Sequence, residues 1–143
     1  MIKAISWVLA LLMCLFAGGY AARGPSAAEP TQDGAALAPE YRRITAKEAK
    51  ERIDSGREVV ILDVRTKEEF DAGHIPGALL IPNETIGTEK PEQLPDLNAE
   101  ILVYCRSGNR SRQAAEKLVE MGYTGVYDFG GIGSWPYEVV KEP

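Results

Sequence analysis

The chain has 143 residues, of which 45% are hydrophobic and 26% are charged, and its formal net charge is −5. These values are typical of one soluble globular domain, and they exclude a disordered chain, a collagen-like chain and a multi-span membrane protein. The acidic balance argues against a nucleic-acid-binding protein. Because the sequence has only two cysteines and one histidine, it excludes a disulfide-stapled fold and a Cys₂His₂ or Cys₄ zinc site. The sequence predicts neither a metal nor another cofactor.

Residues 1–22 have the layout of a signal peptide or of an N-terminal membrane anchor. Lys3 stands directly before an uncharged and mostly apolar run over residues 4–22, and small residues follow. This order is typical of secretory signals. A buried core helix is disfavoured, because nothing polar in the run marks a solvent-facing side.

Three modes of export are open for this segment. Cleavage after Ala21 or after Ala28 would remove it, because small residues stand at the positions that cleavage requires. The run is also long enough for an uncleaved spanning helix of about 20 residues, with Lys3 on the cytoplasmic side. Lipid modification of Cys14 is the third mode. All three predict that the rest of the chain works in the periplasm or another extracytoplasmic space, with membrane attachment through the N-terminal segment in two of them.

Residues 23–40 are rich in alanine, glycine and proline, and they show no repeating apolar period. This composition predicts a flexible linker. The folded domain is therefore expected over residues 41–143.

The first half of this domain combines short helices with short strands. Each helix opens with a capping box, in which a threonine is followed three residues later by a glutamate. The strands are apolar runs of the kind that a sheet buries on both faces. In chain order we predict a helix over 46–53 before Gly56, a strand over 59–62, a helix over 66–70, a turn over 73–77, a strand over 78–81 and an irregular stretch over 84–97.

The second half continues the alternation. A buried strand is predicted over 101–104, followed by a polar loop and a helix that starts near Arg110 and stops at Gly122. A last short strand at 126–127 is expected to end at the glycine pair 130–131, before a helical turn near Trp135. Strands separated by helices predict an α/β fold with a mainly parallel central sheet and helices on both faces.

Reactive side chains concentrate in the loop after the strand over 101–104. Cys105 directly follows this strand, at the edge of a parallel sheet where ligands bind. Successive N–H groups of a glycine-containing loop can converge on one point, and the next helix adds the positive potential of its N-terminus. The sequence therefore predicts an anion-binding cradle around the sulfur atom. The residues of this loop are Arg106, Ser107, Gly108, Asn109 and Arg110.

The same surroundings favour the thiolate form of Cys105. The loop N–H groups, the helix N-terminus and nearby arginines all stabilise negative charge, so the pKa of this thiol is expected below that of a free cysteine. A nucleophilic sulfur beneath an oxyanion pocket is suited to attack on an anionic sulfur, phosphorus or arsenic centre. If Cys14 is removed with the signal, no second thiol remains in the chain. That would favour a covalent intermediate on one cysteine over dithiol exchange.

Less specific interpretations of the residues in and after this loop are also open. Cys105 could be a small, inert buried side chain at a strand end, although arginines, serines and a glycine are poor surroundings for such a thiol. Ser111 could cap the helix instead of contacting a ligand. Arg112 could be a solvated surface charge.

The motifs of this domain resemble those of the rhodanese family of sulfurtransferases. The resemblance covers residues 41–138 and depends on three segments in the family's order and spacing. These segments are Leu62-Asp-Val-Arg65 with Glu69-Phe70 and Gly73-His-Ile-Pro-Gly-Ala78, the loop Val103-Tyr-Cys-Arg-Ser-Gly-Asn-Arg-Ser111, and Gly130-Gly-Ile132 with Trp135. The resemblance implies a rhodanese-like fold, a persulfide on Cys105 during turnover and a substrate pocket formed by residues 106–110.

The resemblance also implies an activity. A sulfurtransferase would move a sulfane sulfur from a small sulfur-containing anion, such as thiosulfate or a polysulfide, to a small thiol, to cyanide or to an acceptor protein. The alternative is a non-catalytic rhodanese-like module that binds a partner or carries sulfur. A phosphatase or arsenate reductase is disfavoured, because Cys-x₅-Arg phosphatases place their arginine one residue later than Arg110.

Residues outside the loop are expected to support the site or to have structural roles. Asp63 and Arg65 are expected to pair with each other or to brace the loop, and His74 to be a hydrogen-bonded turn residue. Trp135 is expected either to line the pocket or to fill the core. The chain departs from the family's pattern after Trp135, over residues 136–140, where relatives form one wall of the active-site rim.

Overall fold

The computed structural model of the protein describes residues 40–141. The predicted signal peptide or anchor over 1–22, Cys14 and nearly all of the predicted linker over 23–40 lie outside the described residues. Within the described part of the chain, no helix combines the length and the apolar character needed to cross a membrane.

A parallel sheet forms the centre of the domain. Among the described residues it has five strands in the order β1-β5-β4-β2-β3, and every neighbouring pair is parallel. Strand β4, which ends in Cys105, therefore lies in the middle of the sheet between β5 and β2. The strands are β1 (Arg42–Arg43), β2 (Val59–Asp63), β3 (Leu79–Leu80), β4 (Glu100–Cys105) and β5 (Gly125–Gly131).

Helices cover both faces of this sheet, as predicted. Helix α3 (Asn109–Glu120) packs on one face through buried residues such as Leu118, and α1 (Ala46–Asp54) packs on the other through Ala49. The short helix α2 (Lys67–Asp71) follows β2. Both predicted capping boxes are present, at the starts of α1 and α2.

The structure differs from the sequence-based prediction at β1 and β5. Strand β1 has two exposed residues that pair with Tyr127 and Asp128 of β5, and no hydropathy pattern marks it. The prediction that β5 ends before the glycine pair is wrong. The strand continues through Gly130 and Gly131 with a change of register, since Val103 pairs with Asp128 but Cys105 pairs with Gly131. The glycine pair therefore belongs to the strand, next to an irregularity of its pairing, and Gly131 is the last residue of β5.

The segment after Trp135 returns to the turn that follows α2. Val140 and His74 form an isolated antiparallel bridge, with N–H···O distances of 2.8 Å in both directions. This bridge ties the C-terminal segment to the sheet edge where β2 and β4 end.

Candidate active site

Cys105 lies at the carboxyl end of β4, three residues are between it and the start of α3, and its side chain is buried. The Gly108 N–H donates to its sulfur atom at 3.0 Å, and the Ser111 hydroxyl lies 3.7 Å away. Gly108 occupies the N-cap position of α3 with a φ of +99°, and no side chain caps this helix. The sulfur atom of Cys105 accepts hydrogen bonds from the backbone N–H groups of Gly108 and of Ser111, the third residue of α3. It thereby takes the place that a capping side-chain oxygen usually fills.

These hydrogen bonds lower the pKa of the Cys105 thiol. Burial by itself raises the pKa, since it disfavours the charged form, but hydrogen bonds from Ser111, Gly108 and Ser107 outweigh that effect. The first turn of α3 contains no acidic residue, so the thiolate meets no negative charge from that turn at the positive end of the helix.

Strand β5 holds the loop in place through a close approach of two backbones. A Cβ atom on Gly131 would lie 2.4 Å from the Arg106 carbonyl oxygen and 2.8 Å from the Ser107 Cα. A Cβ atom on Gly108 would lie 3.5 Å from the Gly130 Cα, which is an ordinary contact distance. Only a residue without a side chain fits at position 131, so the glycine pair sets the position of the loop above the sulfur.

Ser111 connects the parts of this site. Its hydroxyl donates towards the carbonyl oxygens of Gly108 and Gly130, at 3.2 and 3.3 Å, and the side chain is fully buried. The alternative that Ser111 caps the helix is wrong, because Gly108 holds the N-cap and the helix begins at Asn109. The Ser111 hydroxyl instead lies 3.7 Å from the Cys105 sulfur.

The remaining loop side chains are directed to solvent or to one partner. Arg106, Ser107 and Asn109 are exposed, and Arg110 is partly buried. Arg110 forms two hydrogen bonds with the carboxylate of Glu69 on α2, at 2.7 and 2.9 Å. The sequence predicts Glu69 as part of the capping box of α2 and not as a partner of the active loop.

Asp63 and Arg65 form a buried ion pair, one of the two arrangements expected for them. The Arg65 guanidinium lies 2.6 Å from the Asp63 carboxylate and also donates to the Gly73 carbonyl at 2.8 Å. The Tyr104 ring packs beside this pair, and its hydroxyl accepts the Ile75 N–H at 3.2 Å. Burial and the neighbouring Asp63 raise the pKa of Tyr104. The group joins the end of β2 to the turn over 73–77.

The side chains of His74 and Trp135 pack against other aromatic side chains of the domain. The His74 ring stacks on Phe70 at 3.7 Å between centroids, and its Nδ1 lies 2.9 Å from the Phe70 carbonyl oxygen. Trp135 is 8% exposed and packs against Phe129 in the core on the α1 face. Of the two places expected for this side chain, the structure has it in the core.

A cleft of about 540 Å³ opens beside the loop, between the loop and the start of α1. Ser107 and Gly108 line one side of it, and Arg43, Lys47 and Tyr137 line the others. Across the described residues, no group of three or more His, Cys, Asp and Glu side chains is placed to hold a metal ion.

The geometry defines a class of protein with a buried cysteine whose sulfur atom accepts hydrogen bonds from backbone N–H groups at the start of a helix. Comparisons with known proteins give the family. The sequence model of the rhodanese-like domain matches residues 45–137, and the chain belongs to this family.

The names of two relatives are consistent with membership in this family. The chain is 38% identical over 105 residues to a Mycobacterium tuberculosis protein called probable adenylyltransferase/sulfurtransferase MoeZ, covering 72% of this chain and 26% of that protein. It is 41% identical over 71 residues to the thiosulfate sulfurtransferase PspE of Escherichia coli, covering 50% of this chain and 68% of that protein. The chain therefore spans about a quarter of the length of the mycobacterial relative.

Solved structures show the same fold. A rhodanese-like domain protein from Staphylococcus aureus superposes with a TM-score of 0.62 at 34% identity, covering 71% of this chain and 99% of that one. The human single-domain sulfurtransferase TSTD1 superposes with a TM-score of 0.55 at 31% identity, covering 64% of this chain and 91% of that one. The predicted rhodanese-like fold is confirmed.

Proposed function

We propose that the protein is a sulfurtransferase that carries a sulfane sulfur as a persulfide on Cys105. The observation that supports this most is the placement of the Cys105 sulfur, which is buried, receives the Gly108 N–H at 3.0 Å and has a lowered pKa. A thiolate under convergent N–H donors is both a nucleophile and a stabilised anion site. The sulfurtransferase names of the relatives agree with this chemistry.

The first half-reaction loads the cysteine. The Cys105 thiolate attacks the outer sulfur of a donor such as thiosulfate, and a new bond from Sγ to that sulfur forms. The sulfur–sulfur bond of the donor breaks, and sulfite leaves with the bonding electrons. Total charge is conserved, since thiolate and dianion become persulfide anion and sulfite dianion. The loop N–H groups stabilise the charge on the transferred sulfur.

The second half-reaction transfers the outer sulfur from the Cys105 persulfide to an acceptor. A nucleophile such as cyanide or a thiol attacks the outer persulfide sulfur, and the thiolate of Cys105 leaves with the electron pair. The cleft beside Ser107 and Gly108 gives an acceptor larger than cyanide a place to approach the loop. Such ordered loading and unloading is the ping-pong pattern of covalent catalysis.

Intact-mass measurement after incubation with thiosulfate tests the proposal. We expect a gain of one sulfur atom in the protein and no gain in Cys105→Ser. Turnover with thiosulfate and cyanide then separates an enzyme from a carrier module. Repeated thiocyanate release supports the enzyme, and one equivalent per chain supports the carrier. Absence of the mass gain with every sulfane donor would refute the proposal.

We also propose that the domain works outside the cytoplasm. The support is the sequence of residues 1–22, which combines Lys3 with an uncharged apolar run. Fractionation of cells followed by the intact mass of the mature chain tests this. Recovery of the full-length chain in the cytoplasm would contradict it, and a mass that begins after Ala21 or Ala28 would support cleavage.

A further inference from the structure

Arg110 ends the active loop, but its charge is already paired. Its two terminal nitrogens lie 2.7 and 2.9 Å from the two carboxylate oxygens of Glu69. This bidentate geometry is the strong form of an arginine–carboxylate contact. Both side chains are about three-quarters buried, with exposures of 24% and 26%, so solvent screens the pair only in part.

Glu69 is held from its other side by the start of α2. Its Oε2 accepts the Thr66 N–H at 3.2 Å, and the Glu69 N–H donates to the Thr66 hydroxyl at 3.3 Å. The carboxylate is therefore fixed between a helix cap and the active loop. Its contact with Arg110 lowers the pKa of Glu69 to about 2, so the carboxylate stays ionised at neutral pH.

Because of this pairing, Arg110 adds little net charge to the loop. The Arg65 charge is likewise balanced, by Asp63 at 2.6 Å. Beside the N–H donors, a substrate at the loop therefore meets a neutralised Arg110–Glu69 pair, and the charge of the exposed Arg106 remains. The negative charge of Glu69 opposes a donor with two charges about twice as strongly as a donor with one.

We propose that Glu69 is a specificity-determining residue that disfavours doubly charged sulfur donors by neutralising Arg110. The proposal rests on the proposed sulfur transfer. It assigns to this site singly charged donors with a terminal sulfane sulfur, the class of organic thiosulfonates and hydropolysulfides, in preference to the thiosulfate dianion.

The reaction with such a donor needs no further reagent. With methanethiosulfonate, the Cys105 thiolate forms a bond to the terminal sulfur and the sulfur–sulfur bond breaks. Methanesulfinate leaves with the bonding electrons, and the persulfide keeps the second negative charge. No atom is oxidised or reduced by an outside partner.

Two matched donors and one charge-removing variant test the proposal. Thiosulfate and methanethiosulfonate carry the same sulfane sulfur, but a methyl group replaces a charged oxygen in the second. Glu69→Gln removes the carboxylate charge and keeps the helix cap, because glutamine also serves at this position of a capping box. At low salt we expect kcat/KM to rise about threefold for methanethiosulfonate and about tenfold for thiosulfate. The change that Glu69→Gln causes in the ratio of the two kcat/KM values should become smaller as salt is added.

Controls separate this effect from a structural one. Glu58→Gln makes the same change of net charge at an exposed residue before β2, at the opposite end of that strand from the site, and should leave the donor ratio unchanged. Arg110→Gln should shift the ratio away from thiosulfate, and the double variant Glu69→Gln/Arg110→Gln should return it towards the wild-type value.

The proposal is overturned if Glu69→Gln leaves the donor ratio unchanged or lowers both rates by the same factor. In that case a mass gain on Cys105 in the unaltered protein would show that sulfur transfer itself still holds. Absence of that mass gain with both donors would overturn the sulfur transfer and this inference together.

Discussion

At the scale of single residues, hydrogen bonds and not the arginines nearby lower the pKa of the Cys105 thiol. Burial raises the pKa of the thiol, and hydrogen bonds from Ser111, Gly108 and Ser107 lower it further than burial raises it. Arg110 is paired with Glu69, and Arg106 is exposed. Ser111 in the first turn of α3 and the backbone N–H groups of Gly108 and Ser107 in the loop therefore favour the thiolate.

The lowered pKa predicts a shifted pH profile for alkylation. Because only the thiolate reacts, the rate with iodoacetamide should reach half its maximum at a lower pH than for an ordinary cysteine. Ser111→Ala removes the hydroxyl beside the sulfur and should move this midpoint to higher pH. Ser55→Ala, an exposed serine at the end of α1, should not move it. A midpoint equal to that of a free thiol would contradict the structure of the site.

The same shift has a consequence for stability. Since folding lowers the pKa of this thiol, its hydrogen bonds add stability at pH values above the pKa of the unfolded chain's thiol. That contribution is lost as the pH falls through the folded-state pKa.

The contact between Gly131 and the loop predicts a selective loss of activity. In Gly131→Ala the new methyl group would overlap the Arg106 carbonyl, 2.4 Å away, and the loop must move. We expect kcat/KM to fall by about a hundredfold, since small displacements of reacting groups cost that much. Gly133→Ala is the matched control, because a Cβ at that position meets no atom within 4 Å. Equal activity of the two variants would show that the loop tolerates the displacement.

Some of these residues were visible in the sequence and others were not. The position of Cys105 after an apolar strand, and the glycine in the loop after it, predicted the cradle. The role of Gly131 depends on the distance between two backbones, and the contact of Glu69 depends on how α2 faces the loop. Neither distance leaves a pattern in one segment of the chain.

At the scale of secondary-structure elements, the site is formed by three neighbouring strands of the parallel sheet. β4 supplies Cys105, β5 supplies the glycines behind the loop, and β2 leads to α2 with Glu69. Long apolar runs and capping boxes were sufficient to predict β2, β4, α1 and α2. β1 was not predictable, because two exposed arginines form a strand only where the edge of β5 is available.

The buried ion pair at the end of β2 predicts a large effect on stability. Asp63→Asn leaves the Arg65 guanidinium, which is 5% exposed, without its counter-charge. We expect the free energy of unfolding to fall by about 3 kcal/mol, as measured by urea denaturation. Asp71→Asn removes one partner of the exposed pair with Lys67 and should cost about 0.5 kcal/mol. Equal effects of the two substitutions would contradict the burial of the first pair.

At the scale of the whole molecule, residues 40–141 contain a hydrophobic core on each face of the sheet. We therefore expect a chain of residues 40–143 to unfold in one cooperative transition and to load sulfur at the rate of the full-length protein. Thermal unfolding and intact mass measure the two properties.

A shorter chain that ends at residue 138 is the comparison. It lacks the bridge between Val140 and His74, which has two hydrogen bonds of 2.8 Å. We expect its Tm to be about 5 °C lower, the change that about 1 kcal/mol causes in a domain of this size. An unchanged Tm would mean that the C-terminal segment adds nothing to the stability of the sheet edge.

The absence of a side-chain cap on α3 links the nucleophile to the architecture around it. An inactive protein with alanine at position 105 would lose both its chemistry and the acceptor that anchors the first turn of this helix. Inactive forms for trapping studies should therefore keep an acceptor atom at this position, as serine does. The sulfur atom of Cys105 is thus a structural part of the fold as well as the proposed nucleophile, and serine separates the two properties because it keeps an acceptor atom without the thiol.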